Sequence, residues 1–123
     1  MAGVDSNSSI LLRQIVANSL FTEKQLSIIS KRLQGSRRPE NMTSGAYYRQ
    51  VRQCREKVVA VLYSAVLLQS TGIIQPDGLV TLSRLGQQMG VIFGTGSRDV
   101  ISQERIKSVM SVTDQLIKRV SLL

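Results

Sequence analysis

The residues of this chain best equipped for chemistry are arginines. Lys31, Arg32, Arg37, Arg38, Arg49, Arg52, Arg55 and Lys57 are half of the sixteen basic residues, and only Glu40 and Glu56 oppose them between Lys31 and Lys57. Six of the eight units of net positive charge therefore sit in that stretch. Arginine's planar fork binds phosphate oxygens in pairs and also pairs with guanine edges. A surface shaped for solubility alone would intersperse acids among its bases, so the cluster points to a polyanionic partner. There is no histidine, and arginine and lysine do not titrate near neutrality, so this charge is fixed across physiological pH.

Most other chemistry is excluded by what is missing. Cys54 is the single cysteine. Without a second cysteine or any histidine, there is no intramolecular disulfide, no common zinc site and no Ser-His or Cys-His nucleophile pair. Glu23, Glu40, Glu56 and Asp77 are scattered, while Asp99, Glu104 and Asp114 fall on one polar helix face. No convergent carboxylate pair for acid–base or magnesium chemistry emerges. The stretch Gly90–Ser97, opening a helix at Arg98, has the composition of a phosphate-cradling loop. It lacks the lysine and the preceding strand of a P-loop, and so reads as a connection. We therefore expect no enzyme, no catalytic residue, no cofactor and no metal.

At 123 residues and 42% apolar content, the chain suits one domain with a real core. A sequence pI near 10.4 suits nucleic acid or an anionic membrane surface. Val58 to Pro76 carries no charge, but its apolar run ends at Leu68 and is broken by Ser64. That is short of the ~20 apolar residues a spanning helix needs, so a buried core helix is expected, with no membrane partner. The polar start, Met1–Ser9, has no signal-peptide pattern. With the lone cysteine, it suggests a reducing, cytoplasmic setting.

The elements that must position the arginines have helical period. Ile10, Leu11, Gln14, Ile15 and Asn18 suggest a short helix from Ser8 to Ala17. Thr22 and Gln25 form a capping box, with Phe21 and Leu26 as a hydrophobic staple. Gly35 stops that helix, whose inward stripe is expected at Leu26, Ile29 and Leu33, with Lys24, Lys31 and Arg32 outside. Ser36–Thr43 contains Pro39 and has room for one helical turn at most. Thr43 or Ser44 then caps the longest helix, about Gly45 to Gln69. Its seam is Tyr47, Val51, Cys54, Val58, Val61, Ala65 and Leu68. The first half exposes Arg49, Arg52, Gln53 and Arg55 beside the seam; the second is apolar all round and is expected in the core.

Thr71-Gly72 ends this helix, and Gln75-Pro76-Asp77-Gly78 has turn chemistry. Leu79 to Phe93 resumes helical spacing through Leu82, Leu85, Met89 and Ile92. A β-hairpin wing over Gly72–Leu82 ranks below two helices joined by a loop. After the loop Gly94–Ser97, Ile106, Val109, Thr113, Leu116, Val120 and Leu123 make 98–123 an amphipathic C-terminal helix, which either closes the chain's own core or carries a homodimer. The expectation is an all-α single domain of about five helices. Residues 1–9 are a flexible start, 10–123 the domain, and 21–57 the basic nucleic-acid-binding part.

Phe21-Thr22-Glu23-Lys24-Gln25-Leu26, Arg32-Leu33-Gln34-Gly35 and Ser44-Gly45-Ala46-Tyr47-Tyr48-Arg49-Gln50-Val51-Arg52 carry a resemblance. This stretch resembles helix-turn-helix DNA-binding segments of the sigma-region-4 kind and of small archaeal regulators, in which a Ser/Thr-capped basic helix enters the major groove. The resemblance implies that Arg49, Gln50, Arg52 and Gln53 read bases and that Arg37 and Arg38 hold phosphates. The eight residues from Ser36 to Thr43 depart from the pattern, because a trihelical unit needs a full positioning helix there. Independently of the resemblance, helix N-terminal amides near Ser44 suit a phosphate, and Tyr48, off the seam, suits base stacking or surface packing. Tyr47 and Cys54, on the seam, read as core.

The expected function is a DNA-binding protein of regulatory or architectural type, its partner duplex DNA. The alternatives are an RNA-binding or ribonucleoprotein module using the same charges, and a helical protein-interaction protein whose arginines are simply a solvated helix face.

Overall fold

Local signals place the helix ends close to where the chain's own chemistry puts them. The computed structural model describes residues 6–35, 37–94 and 102–123. They form α1 (Ser6–Ala17), α2 (Glu23–Leu33), α3 (Ser44–Ser70), α4 (Gly78–Gly94) and α5 (Gln103–Val120). Among the described residues there is no strand, and an isolated antiparallel bridge pairs Ile74 with Ser121. Among the described residues the protein is all-α with five helices.

Thr22 closes the expected capping box: its hydroxyl accepts from the Gln25 amide at 3.1 Å, and the Gln25 side chain accepts from the Thr22 amide at 3.0 Å. Gly35, at φ +70°, follows α2 in the left-handed region that only glycine enters cheaply. Thr43, not Ser44, caps α3, accepting from the Ala46 amide at 3.2 Å. At the other end of α3, the Gly72 amide donates to the Gln69 carbonyl (3.3 Å) and the Ile73 amide to the Leu68 carbonyl (3.0 Å). With Gly72 at φ +72°, this is a Schellman termination, which satisfies carbonyls the helix leaves open. Ser102 caps α5 through the Arg105 amide.

The chain divides into two compact units: a terminal unit of Met1–Ile15 with Ala65–Leu123, and a central unit of Val16–Ser64. In the terminal unit, Leu11 and Ile106 form the core, with Met89, Ile92, Phe93, Val109 and Met110 against them. Ile106, Thr113 and Val120 of the expected α5 stripe are buried and Val109 and Leu116 are half-buried. The stripe thus closes the unit's own core. Leu123 is fully exposed. The C-terminal end also closes onto the segment after α3, the Gln75 amide donating to the Val120 carbonyl (2.8 Å) and the Leu122 amide to the Ile73 carbonyl (2.9 Å). Ile73 and Ile74 therefore pair with the chain's end rather than with Leu79–Val80. The wing alternative falls, because Gly78 already begins α4.

The central unit is built on Ile28, Tyr47 and Cys54, with Ile29, Met42 and Val51 packed against them. The seam of α3 is as expected at Tyr47, Val51, Cys54, Val58, Val61 and Ala65, all buried or half-buried, but its last expected member, Leu68, is exposed. On α2 the expected stripe is corrected. Leu33 is 82% exposed, whereas Ile28 is buried, because the inward face runs through Gln25, Ile28 and Ile29 and leaves the last turn outside.

The larger correction concerns the second half of α3, expected in the core. Val59, Leu62, Tyr63, Val66 and Leu67 are exposed, Tyr63 by 74%. A helix apolar all round needs neighbours on every side, and here the seam side alone has them. The flexible start is also revised: Ser6–Ser9 are the first residues of α1, and 1–5 lie outside the described residues. Of the Gly90–Ser97 motif, Gly90–Gly94 continue α4, and the remainder lies outside the described residues. Among the described residues, no helix is long and apolar enough to cross a membrane.

Candidate nucleic-acid interface

Three local devices bring the arginines of the central unit to one place. The last turn of α2 delivers Arg32, the Pro39–Met42 turn holds Arg38, and the capped start of α3 presents Ser44, Tyr47 and Tyr48. In the turn the Met42 amide donates to the Pro39 carbonyl at 3.1 Å. Arg38 Nη1 donates to the Met42 carbonyl at 2.6 Å, so its guanidinium is anchored to the loop that carries it. The Arg32 guanidinium lies over the Tyr48 ring, 5.8 Å from its centroid, within cation–π range. The Tyr48 ring in turn lies 5.6 Å from that of Tyr47 at a 49° tilt.

These side chains wall an open cleft of about 800 Å³, lined by Arg32, Arg37, Arg38, Pro39, Glu40, Ser44, Tyr47 and Tyr48. Arg37 is exposed. Three guanidinium groups face one carboxylate, a net charge of two positive units at the mouth of a 27-residue helix. The N-terminal end of a helix adds its own positive partial charge and unbonded amides. Here the Ser44 and Gly45 amides lie ahead of Ala46, whose amide is taken by the Thr43 cap. At Gly45 there is open space where a side chain would stand.

One atom of this cleft is at odds with ordinary core packing. Tyr47 is 3% exposed, and its hydroxyl is enclosed without a hydrogen-bond partner. Buried polar atoms nearly always find a partner, and an orphan costs about 1–3 kcal/mol.

The other expected site residues separate into groups. Arg49, Arg52, Gln53 and Arg55 are exposed on α3, and Lys31 is exposed on α2. Tyr48, Arg52, Arg55 and Val59 follow one another at helical spacing, forming an outward line that begins aromatic and basic and becomes apolar. Gln50 departs from the expected reading set. It is half-buried, its Oε1 is enclosed without a partner, and it lines a smaller recess with Thr22, Gln25 and Cys54. Its place on the helix, three residues after Tyr47 and four before Cys54, turns it toward α2 rather than toward a groove outside.

Lys57 is also spent internally. Its ammonium donates to Gln25 Oε1 at 3.1 Å and lies 5.5 Å from the centre of the Phe21 ring, tying α3 to the start of α2. Beside it, burial pushes the Cys54 thiol pKa up, with Lys57 pulling the other way. The thiol is therefore held protonated and unreactive in the core.

Sequence reasoning missed three features: the Arg32–Tyr48 stack, the Tyr47 hydroxyl and an apolar groove. The groove, of about 430 Å³, runs between α2 and α3, lined by Ile28, Ile29, Leu33, Val51 and Val58, with Arg32 and Arg55 at its edges. The adjacency of Leu33 and Arg32 at the helix end was the available signal for it. Ten residues, Gln34 to Thr43, connect α2 and α3 with no helix in the described part. A helix-turn-helix unit joins its two helices through three or four residues, so this basic pair has a longer, arginine-bearing connection in place of a tight turn. Among the described residues, no group of three or more His, Cys, Asp or Glu could hold a metal.

In comparisons with known proteins, no family model, no curated protein and no solved structure matches this chain, and what the cleft can do has to be read from its own chemistry.

Proposed function

We propose that this protein binds duplex nucleic acid, DNA first of all, in a regulatory or architectural role, through the basic surface of its central unit. The observation that carries the reading is the convergence of Arg32, Arg37 and Arg38 at the start of α3, with Arg49, Arg52 and Arg55 exposed on the same helix. Phosphate neutralisation by such a surface releases counterions, and it supplies affinity without sequence information. The long connection and the inward turn of Gln50 favour backbone contacts over deep major-groove readout. Arg49, Arg52 and Gln53 remain the side chains that would touch bases.

The test is retention on random-sequence duplex DNA across a salt series, with A-form RNA in parallel. If about four phosphates are neutralised, log affinity falls against log salt with a slope near −3.6. The double substitution Arg37→Ala, Arg38→Ala should flatten that slope by nearly two units. Stronger retention on RNA would move the reading to a ribonucleoprotein module, and no retention of either at moderate salt would sink it.

A second reading, a helical interaction protein, is favoured by the exposed apolar residues Leu62, Tyr63, Val66 and Leu67 on α3, since patches of this kind mark protein contacts. Sedimentation of the purified chain, with and without Leu62→Gln and Leu67→Gln, tests whether a second copy covers that face.

A further inference from the structure

We propose that the cleft at the start of α3 is a site for a phosphate monoester, the terminal phosphate of a nucleic-acid strand, with the enclosed Tyr47 hydroxyl as one of its donors. The inference rests on the nucleic-acid reading above and goes beyond it, since backbone binding needs only a flat basic face.

Charge is the first argument. A backbone diester carries one negative charge, whereas a terminal monoester carries about −1.5 to −2 near neutral pH and offers three acceptor oxygens. The cleft's three guanidinium groups and single carboxylate, Glu40, leave two positive units, which matches the monoester. Its donors also outnumber what a passing diester could use. Arg37 is exposed, and Ser44 brings both a hydroxyl and an amide at a helix start, a ready anion site.

Shape is the second. At about 800 Å³ the cleft lies within the ~300–1,000 Å³ range of small-molecule pockets. It can take a phosphate together with the nucleoside behind it. The Tyr48 ring under Arg32 offers the planar surface on which an unpaired end base stacks.

The third argument is Tyr47. An enclosed hydroxyl without a partner destabilises the free protein and is retained cheaply only if something else uses it. Tyr47 is at once a core residue and one of the residues that line the cleft. A phosphate oxygen reaching it would give the hydroxyl the acceptor it lacks.

The experiment compares fluorescence anisotropy of one duplex sequence carrying 5′-phosphate, 3′-phosphate or hydroxyl ends, at fixed salt. For the unaltered protein, a phosphate at one of the two ends should tighten binding about tenfold over the hydroxyl-ended duplex, the scale of one or two added charge-assisted hydrogen bonds. Tyr47→Phe and Arg37→Gln should each bring that ratio to within about twofold. Tyr47→Phe should meanwhile melt at the same or a higher temperature, because it removes an unpaired buried polar atom. Equal binding of all three duplexes would overturn the site and leave the nucleic-acid reading standing, as would an end preference that survives both substitutions. Binding of a nucleoside 5′-monophosphate, competed by inorganic phosphate, without binding of any duplex would overturn the nucleic-acid reading and the strand-end assignment together.

Discussion

The central and terminal units of this chain use the same kinds of residue for different ends. In the terminal unit, Leu11, Ile74, Ile106 and Val120 are buried, the chain's end is tied down by two backbone hydrogen bonds, and Lys118 is neutralised by Asp114 at 2.8 Å one turn away on α5. In the central unit, Ile28, Tyr47 and Cys54 make the core, Tyr47 and Gln50 carry enclosed polar atoms without partners, and the basic side chains crowd round a cleft. Closure against solvent and readiness to bind an anion compete for the same residues. The units differ in where their basic side chains gather rather than in how completely their polar atoms are satisfied, since the terminal unit also encloses a partnerless atom, Gln69 Oε1.

The comparison can be broken most severely at the terminal core. Leu11→Ala removes the only side chain with no solvent exposure among the described residues. It should cost about 4 kcal/mol in urea denaturation followed by circular dichroism, whereas Ile28→Ala in the central core should cost nearer 2 kcal/mol. Equal losses would show the two cores to be equally tight. Next in size is Gly78, where an added Cβ would stand 2.8 Å from Val120 Cγ1 and 3.4 Å from Ile74 Cδ1. Gly78→Ala should destabilise by about 1–3 kcal/mol through overpacking, while Gly45→Ala, in open space, should not destabilise. Thermal melts of the pair check this.

A smaller effect follows from Cys54. Its pKa is raised in the folded protein, first by burial, so the unfolded chain gives up the thiol proton at lower pH than the folded one does. The stability this contributes is fully present below the unfolded thiol's pKa and is lost as pH rises through the folded value. Denaturation midpoints should therefore decline above the ordinary thiol range, less so in Cys54→Ala. A matching decline in that variant would assign the loss to other groups. Smallest of all, Asp114→Asn breaks an exposed i,i+4 pair. It should change stability by no more than about 0.5 kcal/mol, and less at high salt.

Much of this architecture is legible along the chain, because its determinants are local. The Thr22–Gln25 box, the stops at Gly35 and Gly72, and the seam from Tyr47 to Ala65 each depend on residues within a turn or two of one another. The same holds for the arginines: their density between Lys31 and Lys57 is a property of composition, and the exposure of Arg49, Arg52 and Arg55 follows from lying off the α3 seam. The errors fall where a second element decides. Whether Leu33 or Ile28 faces inward depends on where α3 crosses α2, and a 3.6-residue period permits a shift of one residue in that choice. Gln50 and Lys57 look like members of a basic face until α2 is set beside them, when both turn toward Gln25 and its neighbours.

Sequence alone determines that this protein is helical, basic in one stretch and without the residues for common metal or triad chemistry, since helix period, caps and formal charge are short-range properties. Tertiary structure decided the rest. It brought Arg32 across ten residues of connection onto Tyr48, enclosed the Tyr47 hydroxyl without a partner, turned the α5 stripe into a core, and left the outer face of the second half of α3 exposed. Each of these depends on how much apolar surface a neighbouring helix covers and which polar atoms it strands. No spacing within a single segment encodes that, because burial is a property of pairs of elements.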